Sequence, residues 1–73
     1  MAETPKEARE RIVAEFETMK SLELSARDLY AQIAADPNIT QQKIKTAFSS
    51  LSVDEHEHAE IVQEIINIVS NAL

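Results

Sequence analysis

Only one stretch of this 73-residue chain can reverse its direction. Glycine is absent, and proline occurs only at Pro5 and Pro37. The cluster Asp36-Pro37-Asn38 is turn chemistry, because proline disfavours helical geometry in the residue before it and Asp and Asn bond back to their own backbone. On either side lie long segments rich in alanine, leucine, isoleucine, glutamate and glutamine, all compatible with helix. The expected fold is therefore all-α, one domain over 1–73. Helix one should span about 5–35, the turn 36–39 and helix two about 40–71, forming an antiparallel two-helix hairpin.

Local signals support those ends. Thr4 has the chemistry of an N-cap, with Pro5 at the first helical position and Glu7 placed for a capping box. Met1 to Thr4 should fray, and Asn38 or Thr40 can cap helix two. A rival reading starts a new helix at Ser52, since Ser52 and Glu55 also fit a capping box. The continuous helix is preferred because the hydrophobic phase passes through Ser52 without a shift.

That phase is a heptad in both helices. Helix one carries Ile12, Phe16, Met19, Glu23, Ala26, Tyr30 and Ile33, with Val13, Leu22 and Leu29 widening the apolar face. Glu10, Glu17, Arg27 and Asp28 fall opposite. Helix two carries Ile44, Phe48, Leu51, Glu55, His58, Val62, Ile65 and Val69. A hairpin with two faces this wide cannot cover both alone, whereas two hairpins can, as an antiparallel four-helix bundle with two-fold symmetry.

The size of the chain points the same way. A domain this small usually relies on disulfides, a metal or a partner, and there is no cysteine. A net charge of −6 argues against a nucleic-acid binder, which needs a basic surface. No apolar run approaches the ~20 residues that span a bilayer, and no signal segment opens the chain. A cytoplasmic oligomer is the natural expectation.

Three residues break the apolar stripes: Glu23 in helix one, Glu55 and His58 in helix two. Glu23 should lie about 18 Å from the turn and Glu55 about 24 Å, a mismatch of roughly one turn. Side chains lean toward their helix N-terminus, which brings the groups closer together. Glu55 and His58, three apart, share one helix face. A dimer would then bury four carboxylates and two imidazoles. Such a cluster opposes packing unless neutralised, and two divalent cations supply matching charge. The plainer alternative for any one of these residues is a buried polar group that fixes register. Three together, with ligand chemistry, exceed what a register device needs.

The residues also resemble a known family. Glu23-Leu24-Ser25-Ala26-Arg27-Asp28-Leu29-Tyr30 looks like the first-helix pattern of rubrerythrin-like proteins. Phe48-Ser49-Ser50-Leu51 with Asp54-Glu55-His56-Glu57-His58-Ala59 looks like their second-helix Glu-x-x-His pattern. The likeness runs from about Phe16 to Ile66 and lies within the ferritin-like superfamily. With one hairpin per chain, it is most similar to the encapsulated ferritins. That resemblance implies a di-iron ferroxidase in which Glu23, Glu55 and His58 are catalytic metal ligands shared by a homodimer. It also implies two iron ions per dimer (manganese or zinc suits the same donors), with a larger ring and an encapsulin shell as further partners and location. The alternatives are a helical dimerisation module with a structural metal, and peroxide reduction of the rubrerythrin type. The latter normally adds a cysteine-bound iron, and this chain has no cysteine. Tyr30 either orients a ligand carboxylate or is a core tyrosine. His56 is expected to point away from the ligands into solvent, and Glu15, Glu17, Glu57 and Glu60 to be solvated helix surface.

Overall fold

The computed structural model describes residues 2–72, which form two long helices and no strand, 57 × 18 × 12 Å overall. Helix α1 spans Pro5–Ala34 and helix α2 spans Gln42–Ala72. Thr4 caps α1 from an extended conformation and accepts a hydrogen bond from the Glu7 amide at 3.1 Å. The return half of the capping box takes a variant form: the Thr4 hydroxyl donates to Glu7 Oε1 at 3.0 Å. Met1 lies outside the described residues. The expected fraying does not extend to Glu3, which accepts two hydrogen bonds from the Arg11 guanidinium at 2.9 and 3.0 Å.

The turn is longer than expected. Asp36 Oδ1 accepts from the Asn38 amide at 2.8 Å, closing the Asx turn its sequence forecasts. Neither Asn38 nor Thr40 caps α2, which begins only at Gln42, with the Gln41 carbonyl accepting from the amides of Ile44 and Lys45. From there α2 runs unbroken through Ser52. The Ser52 hydroxyl reaches across instead and donates to the Arg27 carbonyl at 2.9 Å.

The seam between the helices corrects the sequence reading of the core by one residue. Along α1 the row turned to α2 is Val13, Phe16, Lys20, Glu23, Arg27, Tyr30 and Ala34. Along α2 it is Lys45, Phe48, Ser52, Glu55, Ala59, Val62, Ile66 and Val69. Phe16, Glu23 and Tyr30 belong to both the expected stripe and the observed seam, as do Phe48, Glu55, Val62 and Val69. The buried residues among those described are Ala59, Val62 and Ile66, of which only Val62 lay on the expected stripe. Arg27, expected opposite the core, is half-buried in the seam.

Of the remainder of the expected stripes, Ile12, Ala26, Ile33 and Ile65 are half-buried, whereas Met19, Ile44, Leu51 and His58 are exposed. Met19 is 44% exposed, Ile44 38% and Leu51 40%, and Leu22, Leu29, Ile61 and Ile68 flank them, also exposed. Helix periodicity puts all of these on the same side of the hairpin. The other side is polar. There Lys20 Nζ donates to Gln63 Oε1 at 2.6 Å, and Arg27 Nη1 lies 3.1 Å from His56 Nδ1. The hairpin thus has one bare apolar face and one face closed by cross-helix hydrogen bonds.

Candidate metal centre

The three stripe-breaking residues meet. Glu23 lies about 11 residues before the end of α1 and Glu55 about 13 after the start of α2. The late start of α2 absorbs about half of the one-turn mismatch estimated from sequence. One ligand atom from each of Glu23, Glu55 and His58 falls within 4.8 Å of the others. His58 Nδ1 is 3.6 Å from Glu23 Oε2 and 3.9 Å from Glu55 Oε1. The cluster sits near mid-length on both helices.

Burial within the cluster is graded. The Glu23 and Glu55 side chains are 22% and 21% exposed, whereas His58 is 55% exposed. The carboxylates occupy the seam, and the imidazole stands on the outer row, beside Leu51 and Ile65 at heptad spacing. The site therefore opens onto the bare apolar face.

Two features fit a cation here. Glu23 Oε2 is buried and has no hydrogen-bond partner among the described residues, a costly state for a carboxylate oxygen unless a cation or donor meets it. The Glu55 carboxyl is pushed above its ordinary range, first by the hydrogen bond it makes with Glu23, then by burial and by the charge of Glu23; His58 acts weakly the other way. The distances also suit. Metal–oxygen and metal–nitrogen bonds of about 2.0–2.2 Å allow two donors of one ion to lie up to roughly 4.3 Å apart, and both His58 separations are shorter than that. Two carboxylates and an imidazole are donors for iron, manganese or zinc.

Other residues are placed apart from this cluster. Tyr30 packs its ring on Phe48, centroids 5.9 Å apart, and no hydrogen bond joins its hydroxyl to Glu23, Glu55 or His58 among the described residues. His56 is half-exposed, off the cluster, and held between Arg27 and Glu60, with Nε2 2.9 Å from Glu60 Oε1. Sequence reading missed that contact and the Lys20–Gln63 bond. The available signal was the heptad row displaced by one residue, in which Lys20, Arg27, Ser52 and Ala59 recur at seam positions. An open groove of about 360 Å³ near the turn is lined by Ala31, Ala34, Ala35, Ser49 and Ser52; it contains none of the three ligands and offers no charged group. No helix among the described residues is long and apolar enough to cross a membrane. Comparison with protein families, curated proteins and solved structures gives no match to this chain.

Proposed function

We propose that this chain is half of a di-iron ferroxidase. Two copies pair through their bare apolar faces into a four-helix bundle and oxidise Fe²⁺ at a site to which each contributes Glu23, Glu55 and His58. The observation that carries this reading is the convergence of three donors at mid-helix, on the edge of an uncovered apolar face, with one buried carboxylate oxygen that makes no hydrogen bond among the described residues.

Two copies would bring four carboxylates and two imidazoles to two ions, and the positions these donors leave unfilled in the octahedral shells that iron or manganese prefers are open to water and the oxidant. The pairing also covers Met19, Leu51 and their neighbours, which gives a hydrophobic driving force to a chain that by itself buries, among the described residues, only Ala59, Val62 and Ile66. Two divalent ions balance the four glutamates. The sequence resemblance to encapsulated ferritins supports iron as the substrate, with dioxygen or peroxide taking the electrons, and suggests an encapsulin shell as a further partner. The protein's part is to hold two ions about 4 Å apart in a site shielded from bulk water.

The test is anaerobic Fe²⁺ titration of the purified chain, followed by an oxygen pulse with absorbance readout. The expected result is two irons bound per dimer and fast oxidation that Glu23→Ala abolishes. Oxidation that survives Glu23→Ala overturns the catalytic assignment. Tight binding without oxidation favours a structural metal in a dimerisation module, and oxidation by peroxide alone favours a peroxide-reducing protein.

A further inference from the structure

The geometry points to Arg27 and His56 as positioning residues for the candidate metal centre, locking α1 against α2 directly behind the ligands. This inference rests on the metal reading above.

The need for such a lock follows from where the core lies. The buried residues among those described, Ala59, Val62 and Ile66, all belong to α2 beyond Glu55. At the level of the ligands themselves Ala59 is the one buried apolar residue of the seam, beside Glu23, Arg27, Ser52 and Glu55. Apolar contact is non-directional and tolerates sliding. Hydrogen bonds with fixed donors and acceptors do not. Directional polar links therefore hold the register of Glu23 against Glu55, those at this level together with the Lys20–Gln63 bond one turn before Glu23.

Arg27 supplies two of them. It lies one turn after Glu23 on the same row. Its carbonyl accepts from Ser52 Oγ at 2.9 Å, and its Nη1 lies 3.1 Å from His56 Nδ1. Ser52 is one turn before Glu55, and His56 is the next residue after it. The two links thus straddle Glu55 along α2. Asp28 Oδ1 accepts from Arg27 Nε at 2.9 Å and steadies the guanidinium.

The tautomer of His56 follows from this arrangement. A guanidinium only donates, so His56 Nδ1 must accept. The ring proton then sits on Nε2, which donates to Glu60 Oε1 at 2.9 Å. Arg27, His56 and Glu60 form one directed chain of hydrogen bonds on the polar face. His56 touches none of the three ligands; it acts on them through the helix it anchors.

The test compares His56→Ala with His56→Asn in the full-length chain. Alanine removes the acceptor. Asparagine can return an oxygen close to the Nδ1 position, although it is the poorer helix former. If His56 served only general stability, alanine would match or surpass asparagine. Positioning requires the opposite order in metal affinity. Calorimetric titration with Co²⁺, backed by its visible absorption spectrum, should show His56→Ala weakened about tenfold or more. His56→Asn should lie near wild type. Arg27→Met should match His56→Ala, and the Arg27→Met/His56→Ala pair should lose no more than either alone, because both break one contact. Circular dichroism checks that all variants remain helical.

Wild-type affinity in His56→Ala, or asparagine as weak as alanine, overturns the positioning role and leaves the metal centre standing. A wild-type chain that takes up no Co²⁺, Mn²⁺ or Fe²⁺ overturns both.

Discussion

His58 Nδ1 of α2 stands 3.6 Å from Glu23 Oε2 of α1, joining residues 35 positions apart in sequence. One partner is largely buried in the seam and the other is more than half exposed on the apolar face. A contact placed this way ties the fate of the ligands to whatever covers that face, and several measurements can exploit the link.

Metal should stabilise the fold. An ion bound only by the folded assembly adds about 2.7 kcal/mol at a free concentration one hundred times its dissociation constant. For a domain this small, about 1 kcal/mol moves Tm by roughly 4–8 °C. Thermal unfolding followed by circular dichroism should therefore rise by about 10 °C or more with Mn²⁺. The rise should vanish in Glu23→Ala and be reversed by chelator. Equal melting with and without metal would contradict the charge-balance argument.

Acid should act in opposite directions on the metal-free and metal-loaded protein. The Glu55 carboxyl lies above its ordinary range because of Glu23. Between the unfolded and folded pKa values, the folded chain holds a proton that the unfolded chain has released. This contribution is fully present below the unfolded value and is lost as pH rises through the folded one. Metal-free stability should therefore increase as pH falls through the window just above the usual carboxylate range. The loaded protein should weaken over the same window, since protons compete with the ion. Denaturant titrations at stepped pH, with and without Mn²⁺, read both trends; Glu55→Gln should flatten the metal-free one.

Association should depend on the outer apolar row and not on exposure alone. Leu51 is 40% exposed and lies on that row, whereas Val53 is 57% exposed and projects from the opposite side of α2. Leu51→Asp puts a charge in each half of the proposed interface and should raise the dimer dissociation constant on the order of 100-fold or more. Val53→Asp should leave it unchanged. Sedimentation equilibrium distinguishes the two, and equal behaviour would argue against the outer row as the contact.

The Thr4 cap can be tested separately from the metal. Thr4→Ala removes the acceptor for the Glu7 amide and should cost about 1 kcal/mol. Metal affinity should be unaffected, because the cap is several turns from Glu23. A loss of affinity in this variant would mean that the length of α1 as a whole controls the site.

The helices, the Asp36 turn and the convergence of Glu23, Glu55 and His58 were legible because each rests on local chemistry or on spacing along one helix. The inner row was harder to read. Glu23 and Glu55 belong to two adjoining heptad rows, and sequence hydrophobicity follows the outer one, Met19 with Leu51 and Ile65. The structure turns the inner one, Lys20 with Ser52 and Ala59, toward the neighbouring helix. Polar residues such as Arg27 and Ser52 look like surface until the register is known, because their partners lie on the other helix. The late start of α2 was also hidden: Asn38 and Thr40 both have the chemistry of a cap, and only the observed Asx turn and the Gln41 carbonyl bonds show that neither is used.

Ala59, one turn beyond Glu55, is buried to 4% exposure. How closely two helices approach depends on the side chains between them, with axes about 8–10 Å apart. A single methyl group is therefore the caliper for the two carboxylates. Exchanging it for a valine or leucine would spread the rods and widen the gap between Glu23 and Glu55, without altering any atom of the proposed metal ligands.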